Sequence, residues 1–177
     1  ASYRQDRIYR VGHHGEALLA PTLGVLDHET IEPGVILDDG PLKITAYVGE
    51  HPPIEPAVGY RFDYRGRSVV ISGDSNVSDS TRQITEGADL LLHDALSLPT
   101  LTALSAALGA AGQTRLSKIV TDVTDYHAST ESLVELGKQS NVGMIGYYHL
   151  VPVPANPIIK DVFMRGALEN FVLTEDL

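Results

Sequence analysis

The 177-residue chain contains no cysteine and no tryptophan, and aromatic residues make up only 6% of it. The lack of cysteine excludes a disulfide framework, thiolate-bound zinc and a thiol nucleophile. Metal binding is left to imidazole and carboxylate groups, and the chain carries seven histidines. Positive charge is also scarce: 13 Lys+Arg stand against 23 Asp+Glu, a formal charge of −10. A surface that neutralises a phosphate backbone needs clustered Lys/Arg. The nearest approach is Arg4, Arg7 and Arg10, so nucleic acid is not an expected partner. No apolar run approaches the roughly 18–20 residues that cross a bilayer. The opening Ala1-Ser-Tyr-Arg-Gln-Asp6 has no signal-peptide core. A cytoplasmic protein with no membrane association is expected. A composition of 43% hydrophobic and 20% charged residues is that of a globular protein, and the length suits one domain over 1–177.

From residue 34 the pattern is one of short strands and turns. Gly34-Val-Ile-Leu37 and the alternating Leu42–Val48 flank Asp38-Asp-Gly-Pro41 and predict a hairpin. Val58–Tyr64 and Ser68-Val-Val-Ile-Ser72 predict a second, turning at Arg65-Gly66. Helix and strand then alternate. Helices are expected over 78–86, 99–112 and 129–138, and after Asn156-Pro157, each with cap or Pro signals at its start. Strands are expected over 88–92, 142–148 and 171–174, giving an α/β (α+β) fold with a mixed sheet. The Pro-rich segments 51–56 and 151–157 read as stiff loops, and the Ala/Leu-rich segment 97–112 as a core helix.

Apolar strands in this pattern end in groups that ligate metals or move protons: His51, Asp74, His93-Asp94 and His149. His127 lies just before a helix cap. In open sheets ligands bind beyond strand C-termini, so these side chains can converge. Taken singly, a His at a strand end is more often a hydrogen-bonded structural residue than a ligand, and Asp74 after Gly73 is equally at home as a turn residue. Recurrence on one side of a sheet is harder to ascribe to packing, since a buried imidazole or carboxylate is costly unless paired. His13-His14 and His28 lack this context and read as loop or surface residues.

Four segments carry a resemblance: Gly59–Ser75 with Ser-Gly-Asp-Ser, Gly87–Ala95 with Leu-His-Asp-Ala, Asp125-Tyr-His-Ala-Ser-Thr130, and Tyr147-Tyr-His-Leu-Val-Pro152. In order and spacing they resemble the C-terminal half of the metallo-β-lactamase superfamily, in its ribonuclease Z and arylsulfatase-like branch. The resemblance implies one half of an αβ/βα sandwich, a mixed sheet with helices on one face. It implies a di-zinc hydrolase of phosphodiester or related ester bonds that uses a metal-bound hydroxide. His51 would ligate one zinc, Asp74 would bridge both, and His149 would ligate the second. His127 would give a proton to the leaving group, oriented by Asp94, which stands where ribonuclease Z has Glu. His93 would support the site from behind.

Two zinc ions sharing a carboxylate lower the pKa of bound water and stabilise both the attacking and the leaving oxygen of an ester. The superfamily's His-x-His-x-Asp-His loop, which supplies four further ligands, has no counterpart in these residues. Each zinc would then have two protein ligands from this chain. The expectation is that the front half lies elsewhere, which also fits a chain opening without Met, or that the chain is a non-catalytic half-domain. Expected partners are a small ester or phosphodiester substrate and either the N-terminal half or a second copy, as in a homo-oligomer. A tRNA substrate is disfavoured by the charge and by the lack of a long basic insertion.

Overall fold

The computed structural model describes residues 2–15 and 29–174. Where the sequence reading takes 1–177 as one unit, the structure divides into Ala1–Ile31 and Glu32–Leu177, and each is described by itself. The first unit holds helix α1, Ser2–His14. His13 and His14 therefore end a helix rather than lying in a loop, and His28 falls outside the described residues.

The second unit is built on a seven-stranded mixed sheet in which sequence order is also spatial order. Strands β1 (Gly34–Asp38), β2 (Leu42–His51), β3 (Ile54–Tyr64) and β4 (Arg67–Ile71) form an antiparallel meander. Strands β5 (Leu90–Leu96), β6 (Met144–Val151) and β7 (Phe171–Leu173) follow in parallel with β4 and with one another. The two expected hairpins are thus one continuous ribbon. The segment 51–56 is a correction: only Pro52-Pro53 turns the chain, and Ile54-Glu-Pro56 already pair in β3, because His51 and Ile54 close the hairpin.

Helix α2 (Asp79–Thr85) joins β4 to β5. Ser78 accepts from the Thr81 amide and Thr81 answers through the Ser78 amide, a capping box that satisfies two otherwise unpaired donors. Helices α3 (Leu98–Ala110), α4 (Thr114–Asp122) and α5 (Thr130–Gln139) join β5 to β6, and α6 (Pro157–Phe163) joins β6 to β7. Ser129 and Asn156 cap α5 and α6 through their side-chain oxygens. All three parallel crossovers step the same way across the sheet, and the right-handed rule for such crossovers puts their helices on one face. There Val70, Leu91, Ile145 and Phe171, aligned across four strands, meet Leu133, Leu136 and Phe163. Each such side chain contributes roughly 1.5–3 kcal/mol on burial.

Pleating sends the alternate residues to the other face. Phe62, Val69, Leu90 and Met144 lie in one row, and Tyr60, Ile71, Leu92, Gly146 and Val172 in the next. Met144 and Val172 are exposed, at 45% and 38%. The expected core helix over 97–112 is a second correction, since α3 buries only Leu101. It pairs instead with α4, which the sequence reading missed, through a hydroxyl cluster in which Ser105 Oγ lies 3.0 Å from Ser117 Oγ and 2.9 Å from Thr121 Oγ1. Among the described residues no helix is long and apolar enough to cross a membrane.

Candidate metal centre

β2 is antiparallel to β3, and β3 to β4, so β2 runs in the same direction as β4, β5 and β6. Their C-terminal ends therefore share one edge of the sheet, and His51, Asp74, Asp94 and His149 are brought there by topology. His51 is the last residue of β2, and two others lie inside strands that run on past them. Asp94 is followed by Ala95 and Leu96 in β5, and His149 by Leu150 and Val151 in β6. The strands run on because β5 and β6 continue to pair to Leu96 and Val151.

Local devices set each side chain. Beyond β4 the chain turns at Gly73, with φ of 67°, and crosses so close to β3 that an added Cβ would stand 2.9 Å from the Val58 carbonyl oxygen. Only glycine combines that approach with a positive φ. The Asn76 amide then donates to the Glu50 carbonyl at 2.8 Å, which ties the segment bearing Asp74 to the end of β2. His149 is the unmatched residue of a bulge: Asp94 pairs with Tyr148 and Ala95 with Leu150. Its φ of 44° lies in the left-handed region, where a non-glycine residue is strained. A bulge of this kind re-aims a side chain. His127 follows a short 3-10 turn, Val123–Asp125, and is held by the Leu96 amide donating to the Ala128 carbonyl at 2.7 Å.

His51, Asp74 and His127 each present one ligand atom within 4.8 Å of the others. His149 Nε2 lies 3.4 Å from Asp74 Oδ2. The His127 ring stacks on His149 at 5.6 Å and meets His51 edge-on at 5.9 Å. His51 Nδ1 is buried with no hydrogen-bond partner. An imidazole nitrogen left unpaired beside two other donors fits a metal ligand, and three imidazoles with a carboxylate form a donor set suited to zinc.

Behind this cluster Asp94 is fully buried. Its Oδ2 accepts from His127 Nδ1 at 2.9 Å and from the Ala128 amide at 3.3 Å. Its Oδ1 accepts from the Ser75 amide at 3.2 Å and lies 2.9 Å from His93 Nδ1. Burial pushes the Asp94 carboxyl up, but the bonds from His127, His93 and Ser75 outweigh it and hold the group below the ordinary carboxylate range. His127 spends its Nδ1 hydrogen on Asp94, which leaves Nε2 as its free ring nitrogen.

The structure thus brings together His51, Asp74, Asp94, His127 and His149, with His93 against Asp94 from behind. Tyr126 was not anticipated. Its ring lies 4.6 Å from that of His51 and 4.9 Å from that of His127, and packs against both. Its place next to His127 in Asp125-Tyr-His127 was the only available signal. A cavity of about 710 Å³ opens beside His51 and is bordered by Glu50, Glu55, Pro56 and Asn76.

No family model matches the chain. It is 29% identical over 149 residues to ribonuclease Z of Mycobacterium avium (strain 104), covering 84% of this chain and 48% of that protein. It is 28% identical over 151 residues to ribonuclease Z of Mycobacterium tuberculosis (strain H37Rv), covering 85% and 50%. The chain spans about half the length of these curated relatives. Among solved structures it resembles a diphosphatase from the PhnP family, with a TM-score of 0.58, 15% identity, and coverage of 93% of this chain and 53% of that one. It also resembles Zn²⁺-bound PqqB from Methylobacterium extorquens, with a TM-score of 0.54, 16% identity, and coverage of 99% and 56%. The metallo-β-lactamase fold protein YhfI from Bacillus subtilis gives a TM-score of 0.52 at 18% identity, with coverage of 77% and 47%.

Proposed function

We propose that this chain, which has the fold of the metallo-β-lactamase proteins and resembles the ribonuclease Z branch in sequence, is the metal-binding rear part of a hydrolase of phosphodiester or related ester bonds. The observation that carries the reading is the meeting of His51, Asp74 and His127 at one sheet edge, with His149 3.4 Å from Asp74 and the buried Asp94 behind His127. In this reading His51 holds one zinc, His149 a second, and Asp74 lies between them. Zinc ions bound there would supply Lewis acidity and a water of lowered pKa.

The side chains account for the remaining work. Asp94 holds the His127 Nδ1 hydrogen and the plane of the ring, so that Nε2 faces the leaving group and, in the imidazolium form, can give it a proton. Tyr126 packs over His51 and His127 and limits their rotation. The rim beside His51 carries Glu50 and Glu55 and no basic residue, which favours a small substrate over a polyanion such as RNA. The test is metal content and hydrolysis of an aryl phosphodiester by the protein that contains this chain. Near-wild-type activity in Asp74→Ala would sink the reading.

One observation favours a second reading. Each zinc would receive two protein ligands from this chain, short of the three or four of a tight site, and the sheet face opposite the helices is apolar. Both needs are met by the N-terminal half of a larger protein. A chain that lacks that half would persist as a self-associating module with an incomplete metal site. Mass measurement on the purified chain separates the two.

A further inference from the structure

His93 takes only a supporting place behind the site, with no step of its own, and it is fully buried. Its Nδ1 stands 2.9 Å from Asp94 Oδ1 and 3.0 Å from the Asp94 backbone carbonyl, while its Nε2 is buried without a partner. Nδ1 faces two acceptors and therefore carries the ring hydrogen, and Nε2 is the bare nitrogen. A structural histidine would be expected to use both nitrogens. This one uses one, and directs it at the residue that follows it.

We infer that His93 is a positioning residue: it locks the Asp94 carboxylate in the one rotation that aims Oδ2 at His127 Nδ1. The inference rests on the proposed hydrolase for its catalytic consequence, but not for its geometry. The two carboxylate oxygens divide the task. Oδ2 takes His127 and the Ala128 amide, and Oδ1 takes the Ser75 amide and stands 2.9 Å from His93 Nδ1, whose hydrogen it shares with the Asp94 backbone carbonyl. Without His93, Oδ1 keeps a single donor in a site closed to water. Such an under-bonded carboxylate gains by turning away from His127. The ring of His127 would then lose the plane that sets Nε2 towards the substrate.

The two side-chain amides distinguish positioning from space filling. Asn at 93 can put a donor where Nδ1 stands, and Gln reaches to where Nε2 stands. In the full protein, His93→Asn is expected to keep kcat within a few-fold, whereas His93→Gln loses at least tenfold on an ester with a poor alkyl leaving group and much less on an aryl ester. KM and bound zinc should be unchanged in both. A second readout needs no turnover. Two hydrogen-bonded imidazole N–H protons should resonate far downfield in the proton spectrum, only that of His93 lost in His93→Asn and that of His127 lost as well in His93→Gln. Equal losses in the Asn and Gln variants, or a His127 downfield proton that stays in place in His93→Gln, would overturn the inference. If no ester is turned over by the wild type, the hydrolase reading fails and the spectrum alone decides the role of His93.

Discussion

His149 Nε2 stands 3.4 Å from Asp74 Oδ2 because β6 bulges at His149 and β4 ends in a turn that only Gly73 permits. The left-handed backbone at His149 carries conformational cost, the turn at Gly73 is open to glycine without it, and both serve to bring these two side chains together.

The pairing predicts unequal effects on metal content. In the proposed site Asp74 would serve both ions and His149 one. Asp74→Ala should therefore release both, and His149→Ala only one, when bound zinc is measured after dialysis of the full protein. Equal losses in the two variants would remove Asp74 from its bridging place.

His127 is reached both by the donor cluster and by Asp94. As a proton donor, its replacement by Ala should lower kcat by about 10²–10⁴ on esters with poor leaving groups and leave zinc content intact. The loss should shrink on aryl esters, whose leaving group needs no proton. A fall in zinc content would instead make His127 a ligand.

The sequence carried most of the strands, the helix starts near Ser78, Ser129 and Asn156, and the five residues that meet at the sheet edge, because each has a local signal in periodicity or residue type. It did not carry α4, whose polar Thr114–Asp122 buries no residue and is held by a partner helix. Nor did it carry the bulge at His149, which arises from cross-strand register. The loop reading of 51–56 failed because three prolines outweighed a strand that begins directly after a two-residue turn.

The approach of Gly73 to Val58 makes a structural prediction. Gly73→Ala adds a Cβ against a backbone oxygen at a positive φ. It should cost roughly 1–3 kcal/mol in denaturant unfolding. It should also lower zinc content by displacing Asp74, without touching any ligand. Unchanged stability would show that the crossing has room.

Asp89 offers a pH test away from the centre. The Arg67 guanidinium and the Ser68 amide and hydroxyl donate to it and hold its carboxyl below the ordinary value. A depressed folded pKa adds stability above the unfolded pKa, near 3.9, and that stability is lost as pH falls through the folded value. Asp89→Asn should therefore be less stable than wild type at pH 6, with the gap closing below pH 4. Urea unfolding across that range checks it, and a gap that stays constant would contradict the sign.

The apolar sheet face yields the last prediction. Phe62, Val69, Ile71, Leu90, Leu92, Met144 and Val172 lie side by side on the surface away from the helices. A patch of that extent is costly to leave in water. A sheet with helices on one face alone is half of a layered fold. The chain by itself should therefore self-associate at micromolar concentration, and Ile71→Glu with Leu92→Glu should shift it to monomer while keeping its helical circular dichroism. The same pair of changes in the longer protein should destabilise it, because there the face would be covered by the front half. A wild-type chain that is monomeric and unfolds in one cooperative step would show that the face needs no cover, and would argue against both a missing half and an obligate homo-oligomer.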